Sequence, residues 1–150
     1  EETFLLGLLH DLGKMVFIRQ VPKEYQKVVD LTKEGNFYIE VEQTVLGFVH
    51  SLVGALVAKK WNFSLEICQC ILHHHDTVPA TGRSELWEKI AIVQAADLIS
   101  HCLGYGHEEG YPDCRPAAIE LFAKLGMNED SFEKIVSEID TLFKESASVF

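Results

Sequence analysis

Apolar residues recur along most of the chain at intervals of three and four, the period of a helix, and rarely alternate as they would in a strand. The pattern starts at once. Phe4, Leu5, Leu8, Leu9 and Leu12 predict a first helix that carries His10 and Asp11 toward its end, loosened at Gly13 before Met15, Val16, Phe17 and Ile18 continue the run. A second helix is expected after Pro22, with Tyr25, Val28, Val29 and Leu31 as its inner face and a stop near Gly35-Asn36. From about Ile39 to Trp61 a long helical stretch, with a bend expected at Gly47, presents Leu46, Val49, His50, Val53, Leu56 and Val57. Ser64 is placed to cap a helix running through Ile67, Ile71 and Leu72 into His73-His74-His75.

Asp76 to Arg83 reads as a loop, and Ser84 is placed to cap a strongly apolar helix containing Trp87, Ile90, Ala91, Val93, Gln94, Asp97 and Leu98. Gly104 marks its stop, and the connection from Gly104 to Asp113 is glycine-rich and acidic. Pro116 suits the first turn of a helix that ends at Gly126. Asp130 and Glu133 have capping-box spacing ahead of a last amphipathic helix, whose inner face is Phe132, Ile135, Val136, Ile139, Leu142 and Phe143. The four prolines, Pro22, Pro79, Pro112 and Pro116, all fall at expected boundaries. The reading is therefore all-α, a multi-helix bundle forming a single domain over residues 1–150.

Composition narrows the function classes. An apolar fraction of 47% supplies a sizeable core. Thirteen basic against 23 acidic residues give a formal charge of −10, which repels phosphate backbones and argues against a nucleic-acid polymer as partner. A bound divalent metal would reverse that sign locally. The chain lacks an apolar run of about 18 residues and a basic leader, so the expectation is a cytoplasmic protein without a membrane partner. The abrupt apolar start, without a cap-rich approach, reads as a fragment of a longer chain. Cys68, Cys70, Cys102 and Cys114 form no Cys-x-x-Cys pair and are expected to be reduced structural thiols.

The candidate chemistry lies in histidines and aspartates. His10 and Asp11 point about 100° apart on a helix, yet an imidazole and a carboxylate can converge on one ion, and N plus O donors suit Fe, Mn, Zn or Ni rather than Ca. Asp97 sits on so apolar a helix that its carboxylate needs a cation, which could be a metal, Lys14, or His101 one turn on. His50 lies on an inner face, with Gly54 leaving room beside it, and is read either as a core histidine or as a ligand. Of His73-His74-His75, at most two can face one site.

The ordered series Gly7-Leu8-Leu9-His10-Asp11-Leu12-Gly13-Lys14, Glu42-x-x-x-Leu46-Gly47-x-x-His50-x-x-x-Gly54, Trp61, Ile71-x-x-His74-His75 and Ala96-Asp97 resembles the HD-related output domain, HDOD, of bacterial signalling proteins. The likeness spans nearly the whole chain but only the HD-like half of that domain, whose upstream helical segment would precede Glu1. By resemblance to the wider HD superfamily, His10, Asp11 and Asp97 would hold a first metal. Asp11, His50 and His74 or His75 would hold a second. Asp11 and Lys14 would be the catalytic residues, with Lys14 on phosphate. The further histidine that opens the HD pattern has no counterpart here, and Gly110-Tyr111-Pro112 follows Asp97 instead of preceding it, so it reads as a coincidental turn.

Three functions follow from this reading. The first is a signalling output or regulatory module with a partial metal site, whose partners are other signalling proteins or domains. The second is a metal-dependent phosphohydrolase acting on a nucleotide or cyclic dinucleotide. The third is a helical domain in which the same residues form only a buried polar network.

Overall fold

The computed structural model describes residues 2–79, 81–82, 84–106 and 109–147, and among them there are nine helices and no strand. The expected all-α class is what the chain adopts. In order, the helices are α1 (Glu2–Leu9), α2 (Leu12–Gln20), α3 (Pro22–Thr32), α4 (Tyr38–Leu46), α5 (His50–Lys60), α6 (Leu65–His73), α7 (Glu85–Cys102), α8 (Arg115–Lys124) and α9 (Glu129–Ala147). No single described helix is long and apolar enough to cross a membrane.

Helix α5 is the hub, packed between α2 and α6. Two glycines make that possible. A Cβ on Gly13 would lie 1.9 Å from the carbonyl oxygen of His50, and one on Gly54 would lie 3.1 Å from the backbone nitrogen of Gly13. The backbones of α2 and α5 therefore touch where no side chain fits. Gly13 is buried inside α2 rather than loosening a helix. The break falls earlier, at His10 and Asp11, and Asp11 becomes the N-terminal flank of α2.

Gly47 separates α4 from α5 as expected, with a left-handed φ of 79° and a 79° change of axis. Ser64 caps α6 by accepting a hydrogen bond from the Ile67 N–H at 3.3 Å. Pro116 sits in the first turn of α8, and Gly104 and Gly126 take positive φ just beyond α7 and α8.

Several local expectations are corrected. Ser84 flanks α7 without a side-chain cap. The cap of α9 is Asn128, whose Oδ1 accepts from the Ser131 N–H at 2.9 Å, while Glu133 pairs with Arg115 across to α8. On α1 the buried residue is Leu6, with Phe4 and Leu8 exposed, because the helix meets α6 and α7 along one narrow stripe. On α5 Leu56 points outward, and on α9 Leu142 and Phe143 are exposed beyond the packed turns around Phe132 and Val136.

The core has two main centres. Phe17, Tyr25, Val28, Tyr38 and Val41 join α2, α3 and α4. Ile99, Ala118, Phe122, Phe132 and Val136 join α7, α8 and α9. Between them lie Leu6, Cys70, Ile90 and Val93, and Ala55, Ala58, Cys68 and Ile71. All four cysteines are unpaired thiols, and Cys68, Cys70 and Cys114 are buried.

Candidate metal centre

The centre is assembled from chain breaks and helix ends. His10 and Asp11 occupy the α1–α2 turn, His50 is the first residue of α5, His74 and His75 follow the end of α6, and Asp97 comes from within α7. The start of α5 needs an acceptor for its first N–H groups, and the flanking Val49 has none to offer. Glu42, fully buried on α4, fills that role. Its Oε2 accepts from the His50 backbone N–H and from His50 Nδ1, each at 2.7 Å.

That contact fixes the tautomer. With Nδ1–H donated to Glu42, the Nε2 of His50 is free to act as a base toward the interior. His74 is held the same way, because its Nδ1 lies 2.7 Å from the Ile71 carbonyl, which can only accept. His50 Nε2 lies 3.4 Å from His74 Nε2, 3.0 Å from His75 Nε2 and 3.1 Å from Asp11 Oδ1, while His74 Nε2 is 3.9 Å from the same oxygen. Facing lone pairs at such distances repel unless a proton or a cation lies among them. Both His50 and His74 are fully buried, whereas His75 is exposed as a residue although its Nε2 reaches the group.

A second group shares Asp11. His10 Nδ1 donates to the Gly7 carbonyl at 2.7 Å, turning Nε2 toward Asp11 Oδ2 at 3.5 Å and Asp97 Oδ1 at 3.6 Å. Lys14 Nζ lies 2.7 Å from Asp11 Oδ2, and its ammonium rests over the Tyr38 ring at 4.7 Å. His101 Nε2 lies 3.4 Å from Asp97 Oδ1. Of the partners expected for Asp97, His101 contacts it, Lys14 pairs with Asp11 instead, and the carboxylate also belongs to a metal-type group.

Charge is concentrated here. Burial opposes the charge on Asp11, but the nearby His50, Lys14 and His10 outweigh it and hold the carboxyl well below its usual range. Asp97 is likewise held low, against burial, by His10 and His101. Burial, and then the neighbouring His50 and His10, push His74 down to about 4, so it is a neutral imidazole at ordinary pH. For His50 burial is overcome by Asp11 and Glu42, which raise it. Asp11, Asp97 and Glu42 against Lys14 leave a formal excess of two negative charges when the imidazoles are neutral.

The donor set fits a divalent transition metal. Donor atoms of Asp11, His50, His74 and His75 lie within 4.8 Å of one another, as do those of His10, Asp11 and Asp97. His10 Nε2 and Asp11 Oδ1 are buried atoms without a hydrogen-bond partner, and of the two it is Asp11 Oδ1 that faces the His-rich group. The imidazole-rich group suits Zn, Fe, Ni or Mn rather than Ca.

Two cavities flank Asp97. One of about 250 Å³ is lined by Lys14, Tyr38, His75, Asp97, His101 and Tyr111, among others. The other, of about 310 Å³, opens over Gly7, His10, Asp11, Asp97, Ser100 and Tyr105. Gly110-Tyr111-Pro112 is more than an incidental turn. Gly110, at φ 95°, crosses the end of α3 so closely that a Cβ would lie 2.1 Å from the Lys33 carbonyl oxygen. Tyr111 stacks on His101, ring centres 4.8 Å apart, and forms a wall of the first cavity.

All six expected metal residues, His10, Asp11, His50, His74, His75 and Asp97, are brought together, and Lys14 joins them through Asp11. His73 turns away to Asp76 at 2.7 Å. His101 stands where the sequence allows it, as a partner of Asp97, whereas Glu42 and Tyr111 are site residues that the sequence alone does not assign. The signal for Glu42 was its fixed place eight residues before His50, quoted in the ordered series but not given a role.

A helical bundle with a His-Asp turn facing a histidine at one helix start and two at another helix end defines an HD-like domain. The chain belongs to the HDOD domain family, which it matches over residues 1–77. The match ends before Asp97, which enters the site through the packing of α7. An uncharacterised protein of Treponema pallidum (strain Nichols) is 32% identical over 76 residues, covering 50% of this chain and 15% of that protein. The chain thus corresponds to a small part of that relative. No solved structure matches.

Proposed function

We propose that this chain is a regulatory output module of bacterial signalling in which an HD-type centre binds a divalent metal ion and uses it to fix the packing of its helices. The observation that carries the reading is the gathering of donors from the α1–α2 turn, α5, the end of α6 and α7 into two adjoining groups that share Asp11. An ion there would link segments far apart in sequence, and its binding energy would become folding energy. When bound, such a metal supplies Lewis acidity and a polarised water. The residues of the chain orient the imidazoles through Glu42 and Ile71, exclude water around His50 and His74, and hold Asp11 and Asp97 ionised. Partners would be other signalling proteins or domains, recognising a surface set by that packing.

Hydrogen exchange of chelator-treated protein with and without Zn(II) tests this. Slower exchange in the His10–Asp11 turn, at the start of α5 and at the end of α6 is expected, and unchanged exchange there would contradict it.

A second reading, a metal-dependent phosphohydrolase acting on a nucleotide or cyclic dinucleotide, draws on the two cavities that open on Asp97 and on Lys14 in the first of them. Turnover of bis(4-nitrophenyl) phosphate by metal-loaded protein, lost in Asp11→Ala, would favour it over the regulatory module.

A further inference from the structure

The two donor groups that share Asp11 are not equivalent. In the His-rich group four of the six donor separations are 3.0, 3.1, 3.4 and 3.9 Å, and all six lie within 4.8 Å. A tetrahedral zinc shell with bonds of about 2.0–2.1 Å has edges of about 3.3–3.4 Å, so these atoms already stand close to a four-ligand arrangement. Two of its imidazoles have their tautomers fixed by Glu42 and Ile71.

In the other group both carboxylates face cationic or donor groups of the chain itself. Lys14 Nζ sits 2.7 Å from Asp11 Oδ2, the oxygen that faces His10, and His101 Nε2 sits 3.4 Å from Asp97 Oδ1. An ion entering there would lie beside the partly buried ammonium of Lys14, and repulsion between like charges is strong where solvent screening is weak. His101 is itself held in place by its stack on Tyr111.

We infer that this chain binds a single divalent ion in the group Asp11, His50, His74 and His75, while Lys14 and His101 occupy the carboxylates of the group His10, Asp11 and Asp97 in place of a second ion. This rests on the metal-binding reading above.

The test is reconstitution of the chelator-stripped full chain with Co(II), followed by its visible spectrum, by elemental counting of bound metal and by displacement with Zn(II). One equivalent and the intense visible bands of a tetrahedral cobalt site are expected in the wild type. His75→Ala, at a residue exposed enough to be replaced without loss of fold, should lower cobalt affinity by roughly tenfold or more and abolish the tetrahedral bands. Asp97→Asn and His10→Ala should retain one equivalent with the same bands. Two equivalents in the wild type, or loss of the ion in Asp97→Asn and His10→Ala with retention in His75→Ala, would overturn the assignment. Failure of the wild type to take up Co(II) or Zn(II) at all is a separate outcome that overturns the metal-binding reading and this inference together.

Discussion

One carboxylate oxygen of Glu42 accepts both the backbone N–H and the Nδ1–H of His50, each at 2.7 Å, in a position with no access to solvent. The same contact caps α5 and orients the imidazole at the centre of the donor group. Glu42→Gln keeps the shape but removes the charge and weakens both bonds. Loss of about 1.5–3 kcal/mol of stability is expected from a hydrogen bond to a charged group, with metal affinity falling roughly 10–100-fold. Denaturant unfolding and Co(II) titration of the variant read the two effects separately. A stability loss without any change in affinity would confine Glu42 to the helix cap.

Lys14 is the residue that makes the donor groups unequal. Lys14→Met removes the ammonium from Asp11 Oδ2 while keeping a long stem over Tyr38. A second, weaker equivalent of Co(II) should then bind, detected by elemental counting at raised cobalt concentration. Persistence of one equivalent would mean that Lys14 does not bar the second group.

Gly13 should tolerate no side chain. A methyl group there meets the His50 carbonyl oxygen at 1.9 Å, and relief requires α2 and α5 to part. Gly13→Ala is expected to cost about 1–3 kcal/mol or more. Because the same movement separates Asp11 from His50, zinc affinity should fall with it, and equilibrium unfolding together with zinc titration checks both.

Stability should also decline in alkali. Burial pushes the Cys70 thiol up to about 11, with Glu66 adding to it, and burial does the same for Cys114, also to about 11, with Cys102 adding. A thiol whose folded value is raised contributes stability that is intact below its unfolded value, about 8.5, and is lost as pH rises toward the folded value. Melting temperature should therefore fall between about pH 8.5 and 11. Cys70→Ala should flatten part of that slope, and a slope unchanged in the variant would show that Cys70 contributes nothing to it.

Much of this fold is legible in the chain because helices are marked by local signals. Pro22, Gly47, Ser64, Gly104 and Pro116 punctuate the helices where their backbone chemistry requires. Periodicity alone was less reliable at the ends. Phe4, Leu8, Leu142 and Phe143 fit an apolar stripe, yet they are exposed, since the stripe is wider than the neighbour it meets. Gly13 looked like a helix weakener because the carbonyl it accommodates lies 37 residues away in sequence, on His50. The site residues are readable as an ordered series of His and Asp, and the resemblance to the HD superfamily already divides them into the two groups that share Asp11. Which oxygen of Asp11 faces Lys14 and which faces His50 is not readable, because it depends on how α2 packs on α5. Glu42 was hidden for a related reason. A glutamate within a helix is ordinarily solvated, and only the turn at Gly47 folds it back onto His50.

The central claim is that the clustered His and Asp donors bind a divalent ion and that this binding stabilises the fold. Thermal unfolding of chelator-stripped protein, with and without Zn(II) at about 100 times the dissociation constant, tests it most directly. Binding to the native state alone contributes about 2.7 kcal/mol at that concentration, which for a chain of this size corresponds to a rise of about 5–10 °C in melting temperature. The account predicts a rise of that order in the wild type and, at the same zinc concentration, a rise about half as large or less in His75→Ala. An unchanged melting temperature in the wild type, or an equal rise in both proteins, would contradict it.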